Sequence, residues 1–412
     1  MRRLTILTAP LALLIAAALA CASPFAPKSP TPTPLPTSTP YPTQFLPTPT
    51  PLIAQPPTAT PLPGPFGPSG YPANVDPLTG LVVPDPSVLN RLPMLIKVSN
   101  ESPKVRPQSG LSFADHVWEY QMEGYALTRY TAVFLSQTPD HVGSVRSARL
   151  IDVEALVDMY TGILVYSGGS SNRYAPGTPP RVDELVNASP WVKRVVTQDY
   201  LPRVGVSYDK PYFQRLDLPT ADIPDYHKLF AFPALIWQLA DQKGFDGKAN
   251  LDGLVFNYTP PGGGTPTSVA AIDYPGKGPK HTWTFDKGSD KWLSSTEDQQ
   301  EGTPDAPDKD LITGQQLAFD NVVVVQAIES DADFLEEEQF NLMSVRIQLD
   351  GQGQCTLLRD GQRFDCIWKR APKSGMMQFF DANNNPIAFK PGTTWFNVVS
   401  SNVAKPTVTY TP

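Results

Sequence analysis

The chain has 412 residues, 41% of them hydrophobic and 18% charged, with 47 prolines and a formal charge of −7. The acidic balance, with an isoelectric point near 5.2, argues against nucleic acid and against electrostatic adhesion to anionic lipid. After Leu19 no apolar stretch approaches the length that crosses a membrane.

The N-terminus reads as a secretion signal: Met1-Arg2-Arg3, an apolar run from Leu4 to Leu19, then Ala18-Leu19-Ala20 before Cys21. The run is at the short end for a ~30 Å hydrocarbon core and lacks a basic stop-transfer flank, so cleavage after Ala20 is expected. Cys21 at the first mature position predicts lipidation and an extracytoplasmic protein anchored to the cell membrane as a lipoprotein. Bacterial lipoboxes usually carry Leu three residues before the Cys, where this chain has Ala18; plain secretion with a free thiol is the alternative. Residues 22–75 form a Pro/Thr-rich disordered linker, with steps such as Pro47-Thr48-Pro49-Thr50-Pro51. In extended polyproline form it reaches on the order of 160 Å. Its threonines are compatible with attached sugar, or the linker is undecorated.

The expected fold class is α+β, with a layered α/β N-terminal domain over 76–245 followed by an antiparallel β-rich C-terminal domain over 246–412. In the first half, 94–99 is an apolar strand, and 116–122 alternates Trp118, Tyr120 and Met122 against Glu119, Gln121 and Glu123. A third strand spans 128–136. Helical spacing follows Val145 through Ala148, Ile151, Ala155 and Leu156 and stops near Thr161-Gly162. A buried strand at 163–166 empties into Ser167-Gly168-Gly169-Ser170-Ser171, and a second helix spans 233–242. In the second half, strands are predicted at 253–258, 281–285, 321–328, 343–349, 355–358, 363–368, 377–380 and 395–399, separated by turn-rich pieces. Within them, an Asp360-Gly361 two-residue turn sets Cys355 opposite Cys366. An oxidising location makes that disulfide plausible, although the hydrogen-bonded register sets the side chains further apart than a disulfide prefers, so a bulge would help.

Chemistry-bearing residues fall into a few groups. Arg146 and Arg149, three apart at the expected helix start, form with Arg129 a candidate site for a phosphate or carboxylate. The alternative is that they pair with internal carboxylates such as Glu119 or Glu123. Those two glutamates are candidate glycosidase acids. Four residues along a strand is ~13 Å, beyond the roughly 5–9.5 Å that chemistry needs, so one of them must combine with Asp115, Asp152 or Asp183. An ordinary polar strand face is the simpler reading. Gly168, Gly169 and Ser170 occupy a loop where α/β proteins place ligand contacts, or make a plain turn. His227 is a weak acid/base candidate in a polar loop. The four histidines show no zinc-ligand spacing, Asp381 to Asn385 departs from a calcium loop at Pro386, and no Gly-x-Ser-x-Gly elbow occurs. No metal and no cofactor is expected, and Glu336-Glu337-Glu338 reads as a solvated face.

Several segments together resemble the YerB-like lipoproteins of bacteria, a family whose two domains carry no assigned function. They are Asp76-Pro77-Leu78-Thr79-Gly80, Arg106-Pro107-Gln108-Ser109-Gly110-Leu111 with Ala114-Asp115, Glu123-Gly124 with Thr128-Arg129, and Val145-Arg146-Ser147-Ala148-Arg149. Gly168-Gly169-Ser170, Asn321-Val322-Val323-Val324 and Pro391-Gly392-Thr393-Thr394-Trp395 add to it. Relatives tend to carry Gly-Gly where this chain has Gly124-Tyr125. The resemblance implies layered α/β and β-rich packing in a signal-bearing envelope protein. The expected role is binding of a cell-envelope polymer or a small anionic ligand without catalysis, with membrane contact only through Cys21. The alternative is a polymer-processing enzyme, cleaving glycan or transferring phosphate.

Overall fold

The computed structural model of the protein describes residues 64–412 apart from 126, 172–177, 219–222, 277, 300, 338–339 and 374. The expected signal, Cys21 and most of the linker lie outside the described residues. The last stretch assigned to the linker, 64–75, is already part of the body: Phe66 and Phe256 exchange backbone hydrogen bonds at 3.0 and 2.9 Å, and the Gly253 N–H donates to Pro68. Aromatic side chains among the prolines, Phe66 and Tyr71, give this segment apolar surface to bury.

In the first half β1 (Met94–Asn100), β2 (His116–Gln121), β3 (Thr128–Phe134) and β4 (Ile163–Tyr166) are buried along their whole length. Their β-branched and aromatic content suits central strands covered on both faces. α1 (Val182–Ala188) returns the chain from β4 to the parallel β5 (Val195–Thr197). α2 (Pro233–Lys243) starts on Pro and closes at a left-handed Gly244, because Pro presets φ for the first turn and Gly has no Cβ to resist the cap.

The second half supplies β6 (Val269–Asp273), β7 (Pro279–Asp286), β8 (Lys291–Asp298), β9 (Thr303–Pro307), β10 (Asn321–Glu337), β11 (Leu342–Gln348), β12 (Gly351–Arg359), β13 (Gln362–Arg370), β14 (Gln378–Phe380), β15 (Thr394–Ser400) and β16 (Thr407–Thr411). The two halves share one sheet. Twelve strands run Thr265–Pro266, β13, β12, β10, β15, β2, β3, β1, β4, β5, with β11 on β10 and β14 on β13. β15 lies parallel to β2, setting Val117 against Trp395, Trp118 against Phe396 and Glu119 against Asn397. The boundary drawn at 245 therefore separates sequence segments but not sheets.

Each face of this sheet has its own core. One gathers Trp118, Tyr120, Val323 and Phe396 under the helical segment that contains Ile151 and Leu156. The other packs Ile96, Val117 and Trp395 against α2 and against Trp283 and Trp292 of a second sheet, ordered β9-β8-β7-β6-β16. The molecule is β-rich with short helices. The α/β layering expected of the first half reduces to β4–α1–β5 and the helical cover on one face, because its strands are completed by strands of the second half.

Two local differences follow from hydrogen-bond partners. The helix expected from Val145 begins late, as a π-helical turn (Asp152–Leu156) leading into a short α-helical one (Val157–Tyr160). Before it, Val145 bridges Val98 and the Arg146 N–H donates to the Lys97 carbonyl at 3.1 Å, so this stretch is bound to β1 instead of wound. In the β12–β13 hairpin, Asp360 and Gly361 take φ of 51° and 65°, the turn whose twist matches the strands. The register is unbroken, and Cys355 and Cys366 are joined by a disulfide across a Cα separation of 4.8 Å, so no bulge is needed.

A buried acid pair ties the start of the body to the sheet. Asp76 accepts from the Leu78 N–H at 2.9 Å and the Thr79 hydroxyl at 3.2 Å. Asp115 accepts from Leu135 and Ser136, and the two carboxyls hydrogen-bond each other. Burial, and then the neighbouring Asp115, push the Asp76 carboxyl well above the ordinary range, so Asp76 keeps the shared proton. An acid whose pKa is raised by folding contributes its full stability below the unfolded value of 3.8 and loses it as pH climbs through the folded value. Asp76→Asn keeps an N–H donor toward Asp115 and cannot ionise. Urea midpoints of the two proteins should match at about pH 4 and diverge toward pH 8 with the parent weaker; a pH-independent difference removes Asp76 as the source.

Candidate functional site

The arginines singled out by spacing converge where β1 ends and β3 begins, and each meets an acid. Arg149 forks both oxygens of Glu123 at 2.6 and 2.7 Å, with a third nitrogen 3.5 Å from Glu336. Burial alone would push the Glu123 carboxyl up, but the Arg149 charge and hydrogen bonds hold it down to about 2. Arg146 places Nε and Nη2 on one oxygen of Glu101 at 3.2 and 2.7 Å, and its guanidinium lies 5.0 Å from the Tyr226 ring centre. Arg129, 2% exposed, donates to the Ser147 carbonyl at 3.2 Å and stands 3.7 Å from the same Glu101 oxygen. Its Nε has no hydrogen-bond partner among the described residues. Burial, with Arg149 close by, lowers its guanidinium to about 9.

His227 belongs to this group although it is distant in sequence. It ends the 3-10 turn Asp225–His227, and Glu101, Arg146 and Arg129 all act on its imidazole, which burial lowers below the usual value and Glu101 partly restores. Among the described residues its Nδ1 is buried without a hydrogen-bond partner, as is Ser144 Oγ. The centre of the cluster is Glu101, with a side chain 28% exposed. It lies in an irregular segment just after β1, where no periodicity marks it.

Below this group Lys97 and Asp152, both fully buried, form an ion pair at 2.9 Å, with Thr131 donating to Asp152 and accepting from Lys97. Burial lowers the Lys97 ammonium to about 7 against the pull of Asp152.

The loop of Gly168, Gly169 and Ser170 is packed against neighbours. The Gly168 N–H goes to Asp199 at 2.7 Å and its carbonyl to Ala148. At φ +91° a Cβ there would come within 2.7 Å of Ser147 Oγ, so only glycine fits. Ser170 donates to Glu336 at 3.1 Å. Glu336, read from sequence as part of a solvated face, has a side chain only 2% exposed, because it bridges Ser170 to Arg149.

Glu119 lies in the other core, and the alternation of β2 does not mark a solvent face. Its carboxylate accepts from Thr128 at 2.9 Å, His281 Nδ1 at 2.6 Å, Asn397 at 2.8 Å and Trp395 at 3.3 Å. The far nitrogen of His281 meets Ser294 Oγ at 2.8 Å, which bonds Asp308 at 2.6 Å. The series resembles a Ser-His-acid triad, but all three members are fully buried, and Ser294 is held by a second acid instead of facing a substrate. Glu119 and Glu123 are thus engaged on separate partners, one in a core and one as half of an ion pair. No group of three or more His, Cys, Asp or Glu able to hold a metal occurs among the described residues, and no described helix is long and apolar enough to cross a membrane.

A shared sheet flanked by a buried ionic network and an arginine cluster defines a β-rich protein of two interlocked sequence halves. Those halves match the N-terminal domain of a protein family of unknown function (DUF3048) over residues 78–245 and its C-terminal domain over 270–396. The chain belongs to this YerB-like family. YerB of Bacillus subtilis (strain 168), whose name marks it as a candidate lipoprotein, is 28% identical over 314 residues, 76% of this chain and 82% of YerB. The crystal structure of YerB from Bacillus subtilis superposes with a TM-score of 0.59 at 26% identity, covering 81% of this chain and 99% of that one.

The buried Glu119 network predicts a structural role. His281→Ala, which leaves the carboxylate short of a donor, should cost about 3–5 kcal/mol in chemical denaturation, whereas a loss under about 1 kcal/mol means that Glu119 is hydrated.

Proposed function

We propose that the protein is an extracytoplasmic lipoprotein, tethered to the membrane through Cys21 and the Pro/Thr linker. Its arginine cluster takes an anionic group of a cell-envelope polymer or small ligand. The location rests on the signal-like N-terminus and on the name of the YerB relative. The binding reading rests on one observation: Arg146 and Arg129 share a single carboxylate, Glu101, that is partly exposed while Arg129 is buried. Arg149 is held between Glu123 and Glu336 and acts as scaffold. Two guanidiniums meet one accessible carboxylate, the Arg129 Nε has no hydrogen-bond partner among the described residues, and Glu101 occupies the position that a ligand carboxylate or phosphate would take. His227 and Tyr226 border the same place.

Glycan cleavage through Glu119 or Glu123 has little support. A general acid needs a raised pKa and access to substrate, whereas Glu123 is held low by Arg149 and Glu119 is enclosed.

Binding to isolated cell-wall material and to inorganic pyrophosphate should respond in opposite directions to two substitutions. Arg146→Ala should weaken it about tenfold or more, the loss of a charge-assisted pair, and Glu101→Gln should strengthen it by removing the internal competitor. Affinities unchanged in both variants dismiss the arginine site.

A further inference from the structure

We infer that the anion taken by the arginine cluster is a phosphomonoester, a terminal phosphate with a single substituent, and that Ser144 and His227 bind it together with Arg146 and Arg129. This rests on the reading of the cluster as an anion site and narrows its ligand to one chemical class.

Register brings these side chains together. Arg129 of β3 stands opposite Ser99 of β1, and the Ser99 N–H donates to the Ser144 carbonyl at 2.9 Å. Arg129, Ser99 and Ser144 therefore form one row across three adjoining segments. Val98 and Val145 bridge each other and both enter the core under α2. Side chains alternate along extended backbone, so Ser99, Ser144 and Arg146 take the opposite face, which Arg129 shares as the partner of Ser99. Beyond this row the Val145 N–H donates to the Leu229 carbonyl at 2.7 Å, which draws in the Asp225–His227 turn. Glu101, Arg146 and Arg129 accordingly all act on the His227 imidazole.

The ligand class follows from the atoms left over. Arg129 Nε, Ser144 Oγ and His227 Nδ1 are buried with no hydrogen-bond partner among the described residues, and such atoms are rare in a folded protein. Here they surround one partly exposed carboxylate, and Glu101 shows what a carboxylate achieves in that place. It accepts from Arg146 Nε and Nη2 at 3.2 and 2.7 Å and lies 3.7 Å from Arg129 Nη2, yet those three atoms stay unmet. A carboxylate has only two oxygens, in one plane with its carbon. A phosphomonoester presents three strong acceptor oxygens, set tetrahedrally. Two of them replace the Glu101 oxygens against the guanidiniums, and the third turns to the Ser144 hydroxyl and to His227, whose Nδ1 donates in the imidazolium and in one neutral tautomer. A phosphodiester has two free oxygens and a second substituent, so it offers no more than Glu101 does. Glu101 follows β1 in an irregular segment with its side chain 28% exposed, and it swings into solvent as the phosphate enters.

Titration calorimetry of the purified chain compares methyl phosphate, dimethyl phosphate and acetate at about pH 8, where a monoester with a second pKa of about 6 is a dianion. Methyl phosphate should bind about tenfold or more tighter than either of the others. Ser144→Ala should lower its affinity about three- to tenfold, the weight of one hydrogen bond, while acetate, which reaches only the guanidiniums, changes less than about twofold. His227→Phe keeps a ring beside Tyr226, removes the nitrogen and should act in the same way. Phosphatidylcholine vesicles carrying phosphatidic acid offer the same group on a lipid. Their co-sedimentation with the parent and not with Ser144→Ala assigns a lipid source, and methyl phosphate binding without it assigns a soluble or polymer-borne ester. Equal affinities for the three anions, each weakened by Arg146→Ala, leave the arginine site standing and overturn the phosphomonoester. Full methyl phosphate affinity in both Ser144→Ala and His227→Phe overturns it as well, and no binding of any anion at millimolar concentration removes the arginine site with it.

Discussion

Glu119 is a fully buried carboxylate, and much of the architecture is the supply of its donors. An unpaired buried anion costs several kcal/mol, and the four groups that satisfy this one come from β3, β7 and β15: Thr128, His281, and Trp395 with Asn397. No segment of the first half alone provides them. The parallel pairing of β2 with β15 and the packing of the second sheet over that face bring these donors into reach, so neither half of the sequence can satisfy its own interior.

Charge is handled differently on the two faces of the large sheet. Over the β7 side it is sealed into a network through His281, Ser294 and Asp308. On the other side it is graded: Lys97 with Asp152 fully enclosed, Arg149 with Glu123 nearly so, and Arg146 with Glu101 open to solvent. Ion pairs contribute least to stability where they are exposed. The outermost pair can therefore exchange partners with little effect on the fold, while the inner ones fix the frame around the carboxylate that Arg146 and Arg129 share.

Much of the sheet was legible because its strands are short runs of Val, Ile and aromatic residues, and α2 because Pro233 and Gly244 bracket it. The Asp-Gly turn gave the register of Cys355 and Cys366 directly. The polar side of β2 was misread because alternation reports polarity and not what covers it; the imidazole that meets Glu119 is 162 positions away in sequence. Arg146 and Arg149 have helical spacing, yet backbone donors at 145 and 146 are claimed by the sheet, a tertiary effect that periodicity does not carry. Glu101 had no signature, since an isolated acid after a strand looks like any loop residue. Tyr125, with φ of 57° where relatives tend to carry glycine, shows that packing and its bond to Asp331 at 3.1 Å can hold an unfavoured backbone.

The position of β15 bears on how the chain can be made. Synthesis runs from the N-terminus, but the strand that fills the gap between β2 and β10 consists of residues 394–400, close to the end of the chain. Until it arrives, β2 has an open edge and the donors for Glu119 are missing, so nascent chains carry a sticky, unfinished sheet. The pairing is also among the longest-range contacts the molecule makes, which sets a slow closing step. For such a protein, truncation near the C-terminus is not a trimming of the periphery but the removal of a central strand.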